Sequence, residues 1–120
     1  MTWIYYDSKT GNVERFVNRL KLHRNWNIQK IGGDFKPLHA GHLITYTTGF
    51  GEVPPVTQHF LEENRGVIKS ISSSGNKNWG PNYALAAKKI GDQFKLPVLM
   101  QFELSGTMAD IQRFIDKIEG

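Results

Sequence analysis

The sequence predicts an α/β fold: a doubly wound, five-stranded parallel sheet in the order 2-1-3-4-5, with helices on both faces. Three observations carry this. Short apolar runs alternate with segments of helical period along the whole chain, in the order βαβ(loop)βαβαβα, and such alternation requires crossovers between parallel strands. The second and fifth runs show the clearest polar–apolar alternation, which suits half-exposed edge strands. Polar loops rich in glycine and hydroxyls follow the first, third and fourth runs. In this strand order all three gather at one edge of the sheet, beyond the carboxyl ends of the strands and next to the switch point between strands 1 and 3.

Taken in order, Trp3 to Tyr6 is a short aromatic strand. Asp7 to Val13 is a small-polar loop. Val13, Phe16, Val17 and Leu20 then fall at i, i+3, i+4 and i+7, one face of an amphipathic helix. Asn27 to Ile31 alternates as a second strand and stops at Gly32-Gly33. Asp34 to Gly41 is a connection broken by Pro37 and Gly41. His42 to Thr47 forms the third strand, and Thr48 to Glu52 a glycine-rich loop. Pro54 and Pro55 suit the first turn of a helix that turns Val56, Phe60 and Leu61 inward and ends near Asn64 to Gly66. Val67 to Ser72 is the fourth strand, and Ser73 to Pro81 a long polar loop. Tyr83, Ala86, Ala87, Ile90 and Phe94 mark the buried face of a third helix. Pro97 opens the last strand, Val98 to Leu104. Ser105-Gly106-Thr107 caps a final helix with Met108, Ile111, Phe114, Ile115 and Ile118 inward.

The 120 residues, with 39% hydrophobic and 22% charged content, suit one globular domain. No apolar run approaches 18 residues and no signal-peptide pattern opens the chain, so a membrane span is not expected and a cytoplasmic setting is. Cysteine is absent, which removes disulfides, thiolate metal sites and thiol catalysis. The net charge is +4. Much of the excess lies in Arg15, Arg19, Lys21, Arg24, Lys30 and Lys36, answered locally only by Glu14 and Asp34. No basic-aromatic recognition motif accompanies it, so the expectation is an acidic protein partner or a solvated face, and no nucleic acid.

The loop after the first strand aims backbone N–H groups, the Ser8 and Thr10 hydroxyls, the Asn12 amide and the positive end of a helix dipole at one point. That is a phosphate cradle, against the plainer reading of a capped helix start. Gly49 and Gly51 flank Phe50 and allow backbone to lie against a flat ligand. Trp79 ends the neighbouring loop. A phosphate at one end and aromatic rings with close backbone at the other describe flavin mononucleotide (FMN). A phospho-acceptor receiver domain shares this fold but needs a carboxylate where strand 3 ends in Thr47, an acidic pair where only Asp7 stands, and a lysine where strand 5 ends in Leu104-Ser105. His39 and His42 lack a third metal ligand, and no catalytic triad or carboxylate pair stands out. Redox chemistry would come from the cofactor.

The stretches Tyr6 to Val13, Thr45 to Gly51, Ser74 to Gly80 and Phe102 to Thr107 closely resemble the NrdI family. These are small flavodoxin-like FMN proteins that assist class Ib ribonucleotide reductase. The resemblance implies that Ser8, Lys9, Thr10, Gly11, Asn12 and Val13 hold the FMN phosphate. It implies that Thr47, Thr48, Gly49, Phe50 and Gly51 line the flavin ring, with Ser74, Gly75, Asn76, Asn78, Trp79 and Gly80 on its other flank. It further implies that superoxide, made from reduced flavin and dioxygen, reaches the dimanganese small subunit of the reductase, where a tyrosyl radical forms, and that a separate reductant serves the flavin. Val13 stands where ordinary flavodoxins carry a threonine. A general electron-transfer flavodoxin and a flavin-free binding module of the same fold are the alternatives.

Overall fold

The computed structural model describes residues 1–120. Its elements are β1 (Trp3–Tyr6), α1 (Asn12–His23), β2 (Asn27–Lys30), β3 (Gly41–Tyr46), α2 (Pro55–Asn64), β4 (Ile68–Gly75), α3 (Ala86–Phe94), β5 (Val98–Glu103) and α4 (Met108–Glu119). Short 3-10 turns occupy Arg65–Val67 and Lys77–Asn82. All four strand pairings are parallel and the order is β2-β1-β3-β4-β5, the predicted doubly wound sheet.

Side-chain alternation along β1 shows why both faces must be covered. Ile4 and Tyr6 enter one core with Val13, Phe16, Val17 and Leu20 of α1 and Ile111, Phe114 and Ile115 of α4. Tyr5 faces the opposite way, into a core with Phe60 and Leu61 of α2 and Ala87, Ile90 and Phe94 of α3. Phe16 stacks on Phe102 with ring centroids 4.2 Å apart and meets Phe114 edge-on, so α1, β5 and α4 pack as one unit.

The structure revises several sequence readings. β4 runs to Gly75 rather than stopping at Ser72. Serines favour loops by propensity, but here Ser73 and Ser74 are buried and their hydroxyls bond to protein partners. Tyr83 lies ahead of α3, which opens at Ala86. Val56 and Met108, both expected inward, are exposed by 46% and 57%. Each shares its helix's inward face with Phe60 or Ile111 but sits in the first turn, at the end of the helix, where neither core cluster includes it. Thr57 takes the inward position in α2. The final helix starts as expected: the Thr107 hydroxyl accepts from Asp110 N, and the Asp110 carboxylate accepts from Thr107 N.

Candidate functional site

The chain leaves the sheet after Asp7, whose N–H still donates to the Ile44 carbonyl at 3.0 Å. Gly11 takes φ 93°, the left-handed geometry that turns the loop into α1. No side chain occupies the N-cap position; the Ser8 hydroxyl instead accepts from Glu14 N at 3.2 Å. The backbone N–H groups of Lys9, Thr10, Gly11, Asn12 and Val13 donate to no protein acceptor. The Asn12 Oδ1 accepts twice, from Arg15 Nη2 at 2.6 Å and from the Ser105 hydroxyl at 3.0 Å. An arginine can only donate, so the Asn12 amide orientation is fixed and its Nδ2 hydrogens remain as donors. The loop is therefore a cluster of donors at a helix N-terminus, chemistry suited to an anion.

A second loop stands beside it. Thr48 and Glu52 exchange backbone hydrogen bonds of 2.9 and 2.7 Å, closing a tight turn over Gly49-Phe50-Gly51. Gly49 and Gly51 have φ of 53° and 83°, and Phe50 at the tip is 83% exposed. From the third loop, Asn76 accepts from Asn78 N at 2.9 Å, and Trp79 is 42% exposed.

Lys9, Thr10, Asn12, Thr47, Thr48, Ser74, Gly75, Asn76 and Trp79 line one cavity of about 300 Å³, together with Tyr46 and Leu104. Gly49, Phe50 and Trp79 line an adjoining cleft with Asn82. Sequence reasoning thus grouped residues that the fold brings together. Others serve differently. Val13 is buried in the core, so only its backbone faces the loop. The Thr47 hydroxyl accepts from Ala86 N and keeps its own proton, and the Ser74 hydroxyl donates to Leu104 O and keeps its acceptor sites, so each ties the cavity wall to the scaffold. Gly51 packs on Leu85 and Asn82. Asn78 and Gly80 lie in the 3-10 turn, away from both cavities.

Several residues at the site were not read from sequence. Leu104 adopts φ 52°, a left-handed conformation rare for leucine, on the cavity wall. Beneath the cavity Asp7 is buried, and burial pushes its carboxyl above the ordinary value, opposed by the Thr57 hydrogen bond and the Lys30 charge. Burial and the Asp7 charge raise Tyr46. All three lie within stretches the sequence singled out, but their part in the site comes from the fold, as where Thr57, 50 residues away, meets Asp7.

The basic segment is largely committed within the fold. Arg15 donates to Ser105 and Asn12, and Arg19 to the carbonyls of Ser105 and Gly106. Arg24 pairs with Glu119 at 2.6 Å and Lys30 with Glu14 at 3.7 Å. These contacts tie α1 to the β5–α4 turn and to α4. His39 stacks on Trp3, and His42 Nδ1 lies 2.6 Å from the Ser70 hydroxyl, so both have scaffold partners. No helix is long and apolar enough to cross a membrane.

A parallel 2-1-3-4-5 sheet with an anion cradle after β1 and an aromatic cleft beyond β3 and β4 defines a flavodoxin-like protein. A solved short-chain flavodoxin associated with a bacterial microcompartment superposes with a TM-score of 0.74 at 19% identity, over 98% of this chain and 93% of that one. The model of the NrdI flavodoxin-like family matches residues 4–116, and the chain belongs to that family. Protein NrdI of Bacillus licheniformis is 44% identical over 119 residues, 99% of this chain and 88% of that protein. The SPbeta prophage-derived protein NrdI of Bacillus subtilis is 44% identical over 114 residues, 95% of this chain and 88% of that protein.

Proposed function

We propose that this chain binds FMN and, as a partner of class Ib ribonucleotide reductase, supplies oxidant for assembly of the reductase's dimanganese-tyrosyl radical cofactor. The observation that carries the flavin reading is the donor cluster of Lys9 to Val13, which opens into the same cavity as Thr48, Asn76 and Trp79. That donor set fits a phosphate monoester: it offers backbone N–H groups, the Asn12 amide and a helix N-terminus, with no carboxylate among the cavity residues. The exposed rings of Phe50 and Trp79 fit a flat heteroaromatic. Bound FMN would supply the redox chemistry, the one-electron reduction of dioxygen to superoxide.

The residues of the chain position and protect. Lys9, Thr10 and Asn12 would hold the phosphate end. The hydrogen-bonded Thr48–Glu52 turn would set Phe50 against the ring. Family membership supports association with the reductase; its dimanganese small subunit as the partner, and a separate flavin reductant, are part of the proposal.

The test has two stages. The purified protein should carry, or take up, one FMN with flavin absorbance; a chain that binds none is a flavin-free module of this fold. Assembly of the manganese small subunit should then require the reduced protein and dioxygen. Binding of FMN without any gain in radical yield would make this a general electron-transfer flavodoxin.

A further inference from the structure

Arg15 stands in the first turn of α1, where a positive charge opposes the helix dipole. No carboxylate pairs with it. Its guanidinium nevertheless has a defined position. Nε donates to the Ser105 hydroxyl at 2.9 Å, Nη2 donates to Asn12 Oδ1 at 2.6 Å, and the Ser105 hydroxyl closes the triangle on Asn12 Oδ1 at 3.0 Å. Nη1 donates to nothing and lies 2.9 Å from where a Cβ on Gly11 would be, so the group folds back over the phosphate loop. Arg15 lines the cleft beside the candidate cavity, and Asn12 and Leu104 form the wall the two share. A planar fork held on two sides, without an ion-pair partner and with its free edge at Gly11 of the loop, is suited to an anion.

We propose that Arg15 makes this site selective for a phosphorylated flavin. It does so in two ways, and the inference rests on the flavin reading given above. It locks the Asn12 amide with both N–H groups available to the ligand. It also adds a second full positive charge, beside the Lys9 ammonium, to a loop whose other donors carry only partial charges. That charge compensates for the loop hydroxyl that Val13 does not supply, its side chain being turned into the core. Arg15 is a positioning residue for Asn12 and an electrostatic partner for the phosphate.

The experiment compares FMN with riboflavin, which lacks the phosphate, by flavin fluorescence quenching on the apoprotein from pH 5 to 8. Wild type, Arg15→Gln and Arg15→Lys are measured. For Arg15→Gln, FMN affinity should fall about tenfold or more, with riboflavin affinity nearly unchanged, so the ratio between the two ligands collapses. The phosphate's second ionisation lies near pH 6. Wild-type FMN affinity should therefore climb as pH rises through about 6, where the dianion forms, and that climb should flatten in Arg15→Gln. Arg15→Lys keeps the charge and loses the fork, so the climb should persist at reduced overall affinity. Equal losses for FMN and riboflavin in Arg15→Gln would show a purely structural tie to Ser105 and overturn the inference. Unchanged FMN affinity in Arg15→Gln would overturn it too, leaving the flavin reading intact. A wild-type chain that binds neither flavin would overturn both.

Discussion

The Thr57 hydroxyl donates a 2.7 Å hydrogen bond to Asp7 Oδ2, joining α2 to the end of β1 directly beneath the candidate cavity. That commits Thr57's only proton, so the 2.7 Å contact between Thr57 and Thr45 must have Thr45 as donor. The buried chain runs Thr45 to Thr57 to Asp7. Thr57→Val removes the donor and leaves a buried carboxylate short of a partner. We expect a loss of about 1–3 kcal/mol, read by urea unfolding. A loss below a few tenths would mean that water replaces the hydroxyl there.

Asp7 also sets a pH dependence. Burial raises its carboxyl pKa in the folded protein, so the native state holds this proton more tightly than the unfolded chain does. Its contribution is greatest below the ordinary aspartate value of about 3.9 and is lost as pH rises through the raised native value. Asp7→Asn abolishes that loss while keeping an acceptor for Thr57. The variant should gain stability relative to wild type as pH rises from about 4 toward neutrality. A constant difference across that range would refute the assignment.

His42 works in the opposite sense. Burial, aided by the Lys69 charge, lowers its pKa to about 4, and the neutral ring sits against the Ser70 hydroxyl. The unfolded chain takes up the proton first, at about 6.5. Stability tied to His42 is therefore present above about 6.5 and lost as pH falls toward the lowered native value. Thermal melts of His42→Asn should show a shallower decline than wild type over that interval. Equal slopes would place the acid sensitivity elsewhere.

At the loop after β1, Thr10→Ala and Asn12→Ala should each weaken FMN binding by about 1 kcal/mol or somewhat more, since the acceptor is charged. Val13→Thr is the informative counterpart. It introduces the hydroxyl found at this point in ordinary flavodoxins, but residue 13 is 1% exposed and packs in the core with Phe16 and Ile111. The change should destabilise the fold by about 1–3 kcal/mol without tightening FMN. Tighter binding with no stability cost would show that the hydroxyl reaches the ligand.

The sheet order and the meeting of three loops were legible because they depend on periodicity and on where glycine and hydroxyl residues fall. Both are local features of the chain. Illegible were the contacts that choose which of those residues face the cavity. Thr47 and Ser74 line the cavity, and the bonds that hold them there, from Ala86 N and to Leu104 O, come from 39 and 30 residues away. The basic run of α1 read as a steering surface for the same reason. Its partners Ser105, Gly106 and Glu119 lie about a hundred residues along the chain or nearly so, where no local pattern points back to them.

The serines of β4 give a test with an internal control. Ser72 and Ser73 are adjacent, both buried, and point to opposite faces of the sheet. Ser73 Oγ donates to the Ala84 carbonyl at 2.7 Å and accepts from Ala87 N at 3.0 Å, so it holds the strained Ala84 segment (φ 48°) and the start of α3 onto the strand. Ser72 Oγ has no partner. An unmade hydrogen bond in a buried site leaves only the desolvation cost, whereas a made one repays it. Ser73→Ala should therefore cost about 1–3 kcal/mol, because Ala87 N and Ala84 O each lose a partner. Ser72→Ala removes an orphaned polar atom and should be neutral or stabilising by on the order of 1 kcal/mol. Urea midpoints of the two single variants decide the matter: equal destabilisation would show that Ser72 has a partner of its own and that its hydroxyl contributes as much as its neighbour's.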